Sequence, residues 1–261
     1  MLSKAQIKEI RLLGMKKHRD EKQLFIAEGN KLVADMLYTF ECELLLARAS
    51  WMATQGNIPA RELLLADDAD EISKISLLKT PQDVFAVFRR PTFSIAEASP
   101  EEQLILALDG VQDPGNLGTI IRIADWFGIA HLVCSPDCAD AFGPKTVQAT
   151  MGALSRVKVH YADLPTYLSQ HREDAPVYGA FLEGDNIYEK RLPQNGVIVI
   201  GNEGNGIRPA TASLVGERLY IPSFPPSLHA AESLNVAAAT AIICSEFRRG
   251  WSCPCPIKNQ G

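Results

Sequence analysis

Three short clusters in the sequence combine residue types that can do chemistry, and each follows an apolar run. The first is Asp113-Pro-Gly-Asn116 with Arg122 six residues further on; the second is Gly201-Asn202-Glu203-Gly204-Asn205-Gly206; the third runs from Ile221-Pro222 to Ser233-Leu234-Asn235. A guanidinium such as that of Arg122 grips phosphate oxygens in a bidentate fork. Glycines at 201, 204 and 206 let the backbone approach a small ligand closely. That loop reads G-x-x-G-x-G, not the dinucleotide-binding G-x-G-x-x-G, and no acidic residue stands about 20 positions on. A nucleotide-dependent oxidoreductase is therefore disfavoured.

The elements that must position these residues follow from periodicity. The stretch 109–127 begins where the apolar run 104–108 ends, passes through a turn rich in Pro, Gly and Asn, and opens a helix. Asn116 is the expected N-cap, with Ile120, Ile123, Ala124 and Phe127 as the apolar stripe. Arg122 lies about 200° around the helix from Ile120, on the side of Gly118 and Thr119. That side faces the strand's carboxyl end, where open α/β sheets bind ligands. The competing reading is a solvated ion pair between Arg122 and Asp125. Ser233 is the expected N-cap of a closing helix with Val236, Ala239, Ile243 and Phe247 on its inner face.

Further strands are expected at 131–135, 156–160, 177–181, 197–200 and 218–221, alternating with helices at 145–153, 163–171, 208–215 and 234–248. Continuous apolar strands such as Val197 to Ile200, with helices between them, predict an α/β fold with a mostly parallel sheet covered on both faces. Residues 1–90 form a separate small α/β module, with short strands at 24–27, 44–46, 63–65 and 84–88. The stretch 91–103 mixes Pro, Ser and acidic residues and reads as a linker to a domain at 104–250, with a tail at 251–261.

The 261 residues carry a net charge of −5, with 46% hydrophobic and 22% charged residues, an ordinary balance for a folded core. The charge is unevenly placed: residues 1–22 hold seven Lys or Arg against three acids, a net of +4, and the remainder a net of −9. A basic end on an acidic body points to one patch aimed at a polyanion; a solvated amphipathic helix is the alternative. The six cysteines show neither a secreted disulfide framework nor zinc-site spacing, and Cys253-Pro-Cys255 in the Pro-rich tail reads as incidental. No run of about 18 apolar residues predicts a membrane span, and the charged start is not a secretory signal. The cytoplasm is the expected compartment.

Together the three clusters resemble the signature motifs of the SpoU, or TrmH-like, RNA 2'-O-ribose methyltransferases of the SPOUT superfamily. Asp113 to Gly118 with Arg122 matches the first motif, Gly201 to Gly206 the second, and Ile221-Pro222 with Ser233 to Val236 the third. Pro144-Lys145 through Met151-Gly152-Ala153 is also similar to the family's pattern, and KKHR followed by FIAEG resembles its small ribosomal-protein-like RNA-binding domain.

The resemblance implies a C-terminal deep trefoil knot, an exception to the rule against threaded loops. It also implies S-adenosyl-L-methionine as cofactor, held by Gly201, Asn202, Gly204, Ile221, Pro222 and Leu234, and a homodimer. Arg122 would be catalytic, with Asn116, Glu203, Ser233 and Asn235 as its polar partners; Lys16, Lys17, Arg19 and Lys145 would contact RNA. No metal and no membrane are implied. The substrate class is ribosomal or transfer RNA, and the alternative is an RNA-binding protein that keeps the fold without transfer. A guanidinium only donates, so Arg122 is expected to align phosphate and ribose rather than remove a proton. The sequence departs from the family in the loop 223–232, SFPPSLHAAE, which is longer, with two prolines and no glycine.

Overall fold

The computed structural model describes residues 2–224 and 233–250. Most of the unusual loop (225–232) and the Cys-Pro-Cys tail lie outside the described residues.

The first module begins with two helices, α1 (Lys4–Leu12) and α2 (Lys16–Lys22). Ser3 and Gln6 cap α1 reciprocally, each side chain accepting from the other's backbone N–H. There follow β1 (Leu24–Glu28), α3 (Asn30–Met36), β2 (Cys42–Arg48), α4 (Ala49–Met52), β3 (Ala60–Ala66), α5 (Ala69–Ser73) and β4 (Val84–Arg89). The sheet order is β1-β4-β2-β3, antiparallel except for the β2–β3 pair. Phe25, Phe40 and Phe88 meet in its core, with ring centroids 5.3 to 6.2 Å apart.

The second unit alternates strand and helix: β5 (Leu104–Asp109), α6 (Pro114–Trp126), β6 (His131–Cys134), α7 (Pro144–Thr150), β7 (Lys158–Tyr161), α8 (Leu164–His171), β8 (Val177–Phe181), β9 (Asp185–Asn186), β10 (Gly196–Gly201), α9 (Pro209–Ala212), β11 (Glu217–Tyr220) and α10 (Val236–Arg248). Every expected strand is present, and the short β9 is an addition. The order is β7-β6-β5-β10-β8-β11-β9, and every pairing is parallel. Alternate residues of the buried central strands feed two cores. Leu104, Leu106 and Leu108 pack with α6, α7 and α10 on one face, while Ile105, Ala107, Val197 and Val199 pack with α8 on the other. From β5 the chain runs outward to β6 and β7, then returns to lay β10 on the other side of β5. That reversal opens a crevice at the carboxyl ends of β5 and β10.

The connection 91–103 is ordered against the second unit: Ala98 is buried, and the Tyr167 hydroxyl donates to its carbonyl at 2.7 Å. The two units meet along a tight seam. Phe25 and Phe142 lie 5.0 Å apart between ring centroids, the Arg90 guanidinium sits 5.0 Å from the Phe142 centroid, and Arg19 pairs with Asp140 at 2.8 Å.

Candidate active site at the carboxyl edge of the sheet

The three sequence clusters converge at one corner. The Asn116 side-chain amide donates to Glu203, and the Asn235 amide donates to Asn116 Oδ1 and Glu203 Oε1, both at 3.1 Å. A triangle of side chains thus joins residues 116, 203 and 235, which come from α6, the loop after β10 and the start of α10. Two amides on one carboxylate oxygen fix the direction of Glu203 without neutralising its charge.

The helix starts differ from the sequence expectation. Asp113, not Asn116, caps α6: its carboxylate accepts from the Asn116 N–H at 2.8 Å, and Pro114 takes the first helical position, where no N–H is needed. This frees the Asn116 side chain for the triangle. Asn235, not Ser233, caps α10, its Oδ1 accepting from the N–H groups of Ala237 at 3.0 Å and Ala238 at 3.4 Å. One side chain therefore both starts the closing helix and ties it to the other two clusters. Ser233 and Leu234 are exposed just before it.

Arg122 is exposed on α6 and makes no hydrogen bond or ion pair among the described residues. The Asp125 pairing is corrected: Asp125 is held by Arg156, Nε to Oδ1 at 2.8 Å and Nη2 to Oδ2 at 2.7 Å. Gly118 is not on the open face beside Arg122. It is buried against α7, and a Cβ there would stand 2.5 Å from Ala149 Cβ and 2.7 Å from the Thr146 carbonyl oxygen. Thr119 shares the exposed face with Arg122.

The glycine loop is a clamped hairpin. Asn202 and Gly206 exchange backbone hydrogen bonds at 3.0 and 2.9 Å. The Asn202 side chain donates to the Gly110 carbonyl at 2.7 Å and accepts from Gly204 N–H at 2.8 Å. Gly201 must be glycine, because a Cβ would fall 2.2 Å from the Gly206 carbonyl carbon. Below the loop Asp109, 1% exposed, accepts from the Arg208 backbone N–H at 2.9 Å and from Nε at 2.6 Å. The Arg208 guanidinium also reaches Asp137 at 3.3 Å. A hydrogen bond from the Ser135 hydroxyl, with Arg208 nearby, holds the Asp137 carboxyl below its ordinary range. Asp109 and Arg208 were not singled out in the sequence, although an acid closing a strand opposite the glycine loop was a readable signal.

Gly201, Ile221 and Pro222 sit at the carboxyl edge of β10 and β11, with β8 between those strands. Ile221 and Pro222 are half-buried and Leu234 is 49% exposed, so apolar surface is presented beside the hydrogen-bonding loop. Apolar surface beside the exposed carbonyl-bearing loop fits an adenosyl group, which needs an apolar slot for the base and polar groups at its edges.

The expected RNA-contacting residues divide. Lys16, Lys17 and Lys145 are exposed, and Lys16 is paired with Asp20 at 2.8 Å. Arg19 is a correction: it is 4% exposed, bound to Asp140 and donating to the carbonyls of Leu13 at 2.8 Å and Gly14 at 2.9 Å. Four of its five N–H donors are engaged by Asp140 and the two carbonyls, and the side chain is buried, so it does not face a polyanion.

Comparison with known proteins agrees with this geometry. Residues 103–245 match the model of the SpoU rRNA Methylase family, and residues 4–86 match the MRM3-like substrate binding domain. The chain is 33% identical over 248 residues to the 23S rRNA (guanosine(2553)-2'-O)-methyltransferase RlmP of Bacillus subtilis (strain 168), covering 93% of this chain and 96% of that one. Among solved structures it is similar to a TrmH-family protein from Porphyromonas gingivalis, with 44% identity, a TM-score of 0.85, and 95% and 99% of the two chains covered. It is also similar to an AdoMet-bound rRNA methyltransferase from Sinorhizobium meliloti, with 32% identity, a TM-score of 0.81, and coverage of 95% and 96%. With more than half its length in the family match and three motifs meeting at one corner, the chain belongs to the SpoU rRNA methylase family.

Proposed function

We propose that this S-adenosylmethionine-dependent RNA 2'-O-ribose methyltransferase acts on ribosomal RNA, through a site built from Arg122, Asn116, Glu203 and Asn235. The observation that carries the reading is the hydrogen-bonded triangle of residues 116, 203 and 235, on whose helix α6 Arg122 is exposed and without a partner among the described residues. The ribosomal target is supported by the similarity to the RlmP protein over nearly the whole of both chains. Ser233 is placed at the rim, available to ribose or to the methionine end of the cofactor.

S-adenosylmethionine, when bound, supplies an electrophilic methyl group on a sulfonium. Gly201, Asn202, Gly204, Ile221, Pro222 and Leu234 are the residues that would hold it. A ribose hydroxyl is a weak nucleophile, so most of what the protein contributes is alignment for in-line attack. Arg122 grips a phosphate of the acceptor strand in its fork. The triangle keeps Glu203 and the two amides fixed where the ribose must lie, so no reorganisation is needed on substrate binding. The small residues Ala237 to Ala239 suit a threaded, knotted C-terminal segment, and the exposed Trp126 on α6 suits burial in a homodimer. No helix among the described residues is long and apolar enough to cross a membrane; the proposed ribosomal RNA substrate assigns the action to the cytoplasm.

The test is transfer of labelled methyl from S-adenosylmethionine to ribosomal RNA purified from cells lacking the protein, followed by mapping of 2'-O-methylated positions. One new site in ribosomal RNA is the expected result. Calorimetric binding of RNA with no transfer to any RNA would instead identify a non-catalytic RNA-binding protein.

A further inference from the structure

A cavity of about 680 Å³ lies on the seam between the two units, bounded by β1 and Leu77-Leu78 on one side and by Pro114 and α7 on the other. The volume is that of a small-ligand site, for which about 300–1,000 Å³ is usual. Pro114, in its wall, stands two residues before Asn116 at the start of α6.

Its charges do not cancel evenly. Arg19 and Asp140, both in the wall, neutralise one another. Glu28 is 5% exposed and, among the described residues, meets only neutral donors: Leu77 N–H at 2.9 Å and the Ser76 hydroxyl. Each carboxylate oxygen keeps acceptor capacity, and burial pushes this carboxyl above its ordinary range. Lys145 is exposed and has no partner among the described residues. Between the buried acid and the exposed cation the walls are mainly apolar, with Thr146 and Gln148 among them, and Leu77 is 45% exposed.

We propose that this cavity receives one unstacked nucleotide of the RNA strand adjoining the methylated ribose, its base against Leu77 and Leu78, a base N–H toward Glu28 and its phosphate at Lys145. The proposal rests on the methyl-transfer reading. Unpaired bases have apolar faces and polar edges, and single-stranded segments are where proteins read RNA sequence.

The experiment uses the full chain with S-adenosylmethionine and fragments of ribosomal RNA substituted with 4-thiouridine or 6-thioguanosine. After irradiation, adducts are mapped by mass spectrometry, a readout that does not require methyl transfer. Adducts on the peptides carrying Leu77-Leu78 or Lys145 to Gln148 are expected. Adducts confined to α1 and α2 would overturn the proposal. In parallel, Leu77→Ala and Lys145→Ala, both at exposed positions, should each raise the KM for RNA about tenfold while leaving the S-adenosylmethionine Kd unchanged; a wild-type KM in both would also overturn it. Because Glu28 is buried, Glu28→Gln is read only beside its melting temperature, and a raised KM at an unchanged melting temperature supports the assigned contact. Should the wild type transfer no methyl to any RNA, the functional reading fails, and the adduct map still decides what the cavity holds.

Discussion

Arg156 holds the Asp125 carboxylate through two parallel hydrogen bonds of 2.8 and 2.7 Å, and this pairing leaves Arg122, one turn earlier on α6, without an ion partner among the described residues. Under the proposed function, this exposed guanidinium on the helix that carries Asn116 keeps its binding capacity for a ligand. Arg156 contributes by occupying the acid that would otherwise draw Arg122 away.

Arg122→Ala should therefore bind S-adenosylmethionine with a near-wild-type Kd and lose methyl transfer by about 100-fold or more, the scale for removing a positioned charge-stabilising donor. Arg122→Lys keeps the charge without the planar fork and should fall between. Calorimetry and single-turnover transfer measure the two quantities separately; full activity in the alanine variant would remove Arg122 from the site.

Asn235 permits a sharper separation of structure from chemistry. Asn235→Asp keeps the side-chain oxygen that caps α10, and either residue is a good N-cap. It also sets a second carboxylate against Glu203, where the amide now donates at 3.1 Å. The melting temperature should move by the equivalent of about 1 kcal/mol or less, while methyl transfer falls at least tenfold through like-charge repulsion. A variant as active as wild type would show that the triangle is only a helix tie.

Arg19 and Lys17 share a helix and a charge but should give opposite results. Removing Arg19 leaves the largely buried Asp140 carboxylate with the Phe142 N–H but no counter-charge, a loss of about 3–5 kcal/mol for a pair of this kind. Lys17→Ala should leave the melting temperature unchanged and lower the salt slope of RNA binding by about one phosphate contact. Urea denaturation and filter binding across salt concentrations distinguish them. An unchanged slope for Lys17→Ala would return α2 to a solvated face.

The difference between those two residues marks where the sequence ceased to be readable. Strand order aside, the parallel sheet was legible because fully buried strands such as Val197 to Ile200 are continuous apolar runs. The motif residues were legible by type and spacing. The fate of Arg19 was not, since its partner is 121 residues away and two of its acceptors are backbone carbonyls. The caps failed for a related reason. Asp113 and Asn116 are both good caps, as are Ser233 and Asn235, and local preference cannot choose between neighbours of equal quality. Tertiary bonds make the choice, by engaging the Asn116 amide and by giving Asn235 two tasks.

Close approach in the glycine loop gives another measurable consequence. Gly201→Ala places a Cβ 2.2 Å from the Gly206 carbonyl carbon, backbone that must shift. Asp109→Asn weakens the tie to Arg208 from the other side, a charged hydrogen-bond pair worth about 1.5–3 kcal/mol. Both should raise the S-adenosylmethionine Kd more than tenfold, whereas Gly56→Ala, in the first unit with nothing within 4 Å of the added Cβ, should change it little. Equal affinity in all three would disconnect the loop from the cofactor.

A pH dependence of stability follows from the buried histidine pair on β6 and β7. His131 Nδ1 and His160 Nε2 are 3.0 Å apart, the rings stacked with centroids 5.3 Å apart, and both residues are about 95% buried. Burial, with His131 adjacent, pushes His160 down to about 4, and burial also lowers His131; Glu97 opposes these shifts weakly and Lys158 adds to them. The unfolded chain therefore binds protons that the folded chain does not, from an ordinary value near 6.5 down to about 4. Stability is fully present above pH 6.5 and declines as the pH falls through that window, by up to about 1.4 kcal/mol per pH unit for each histidine. Urea midpoints between pH 7 and pH 5 should fall in the wild type and flatten in His160→Gln, which retains one polar partner for His131. Parallel curves in the two proteins would assign the slope to other groups.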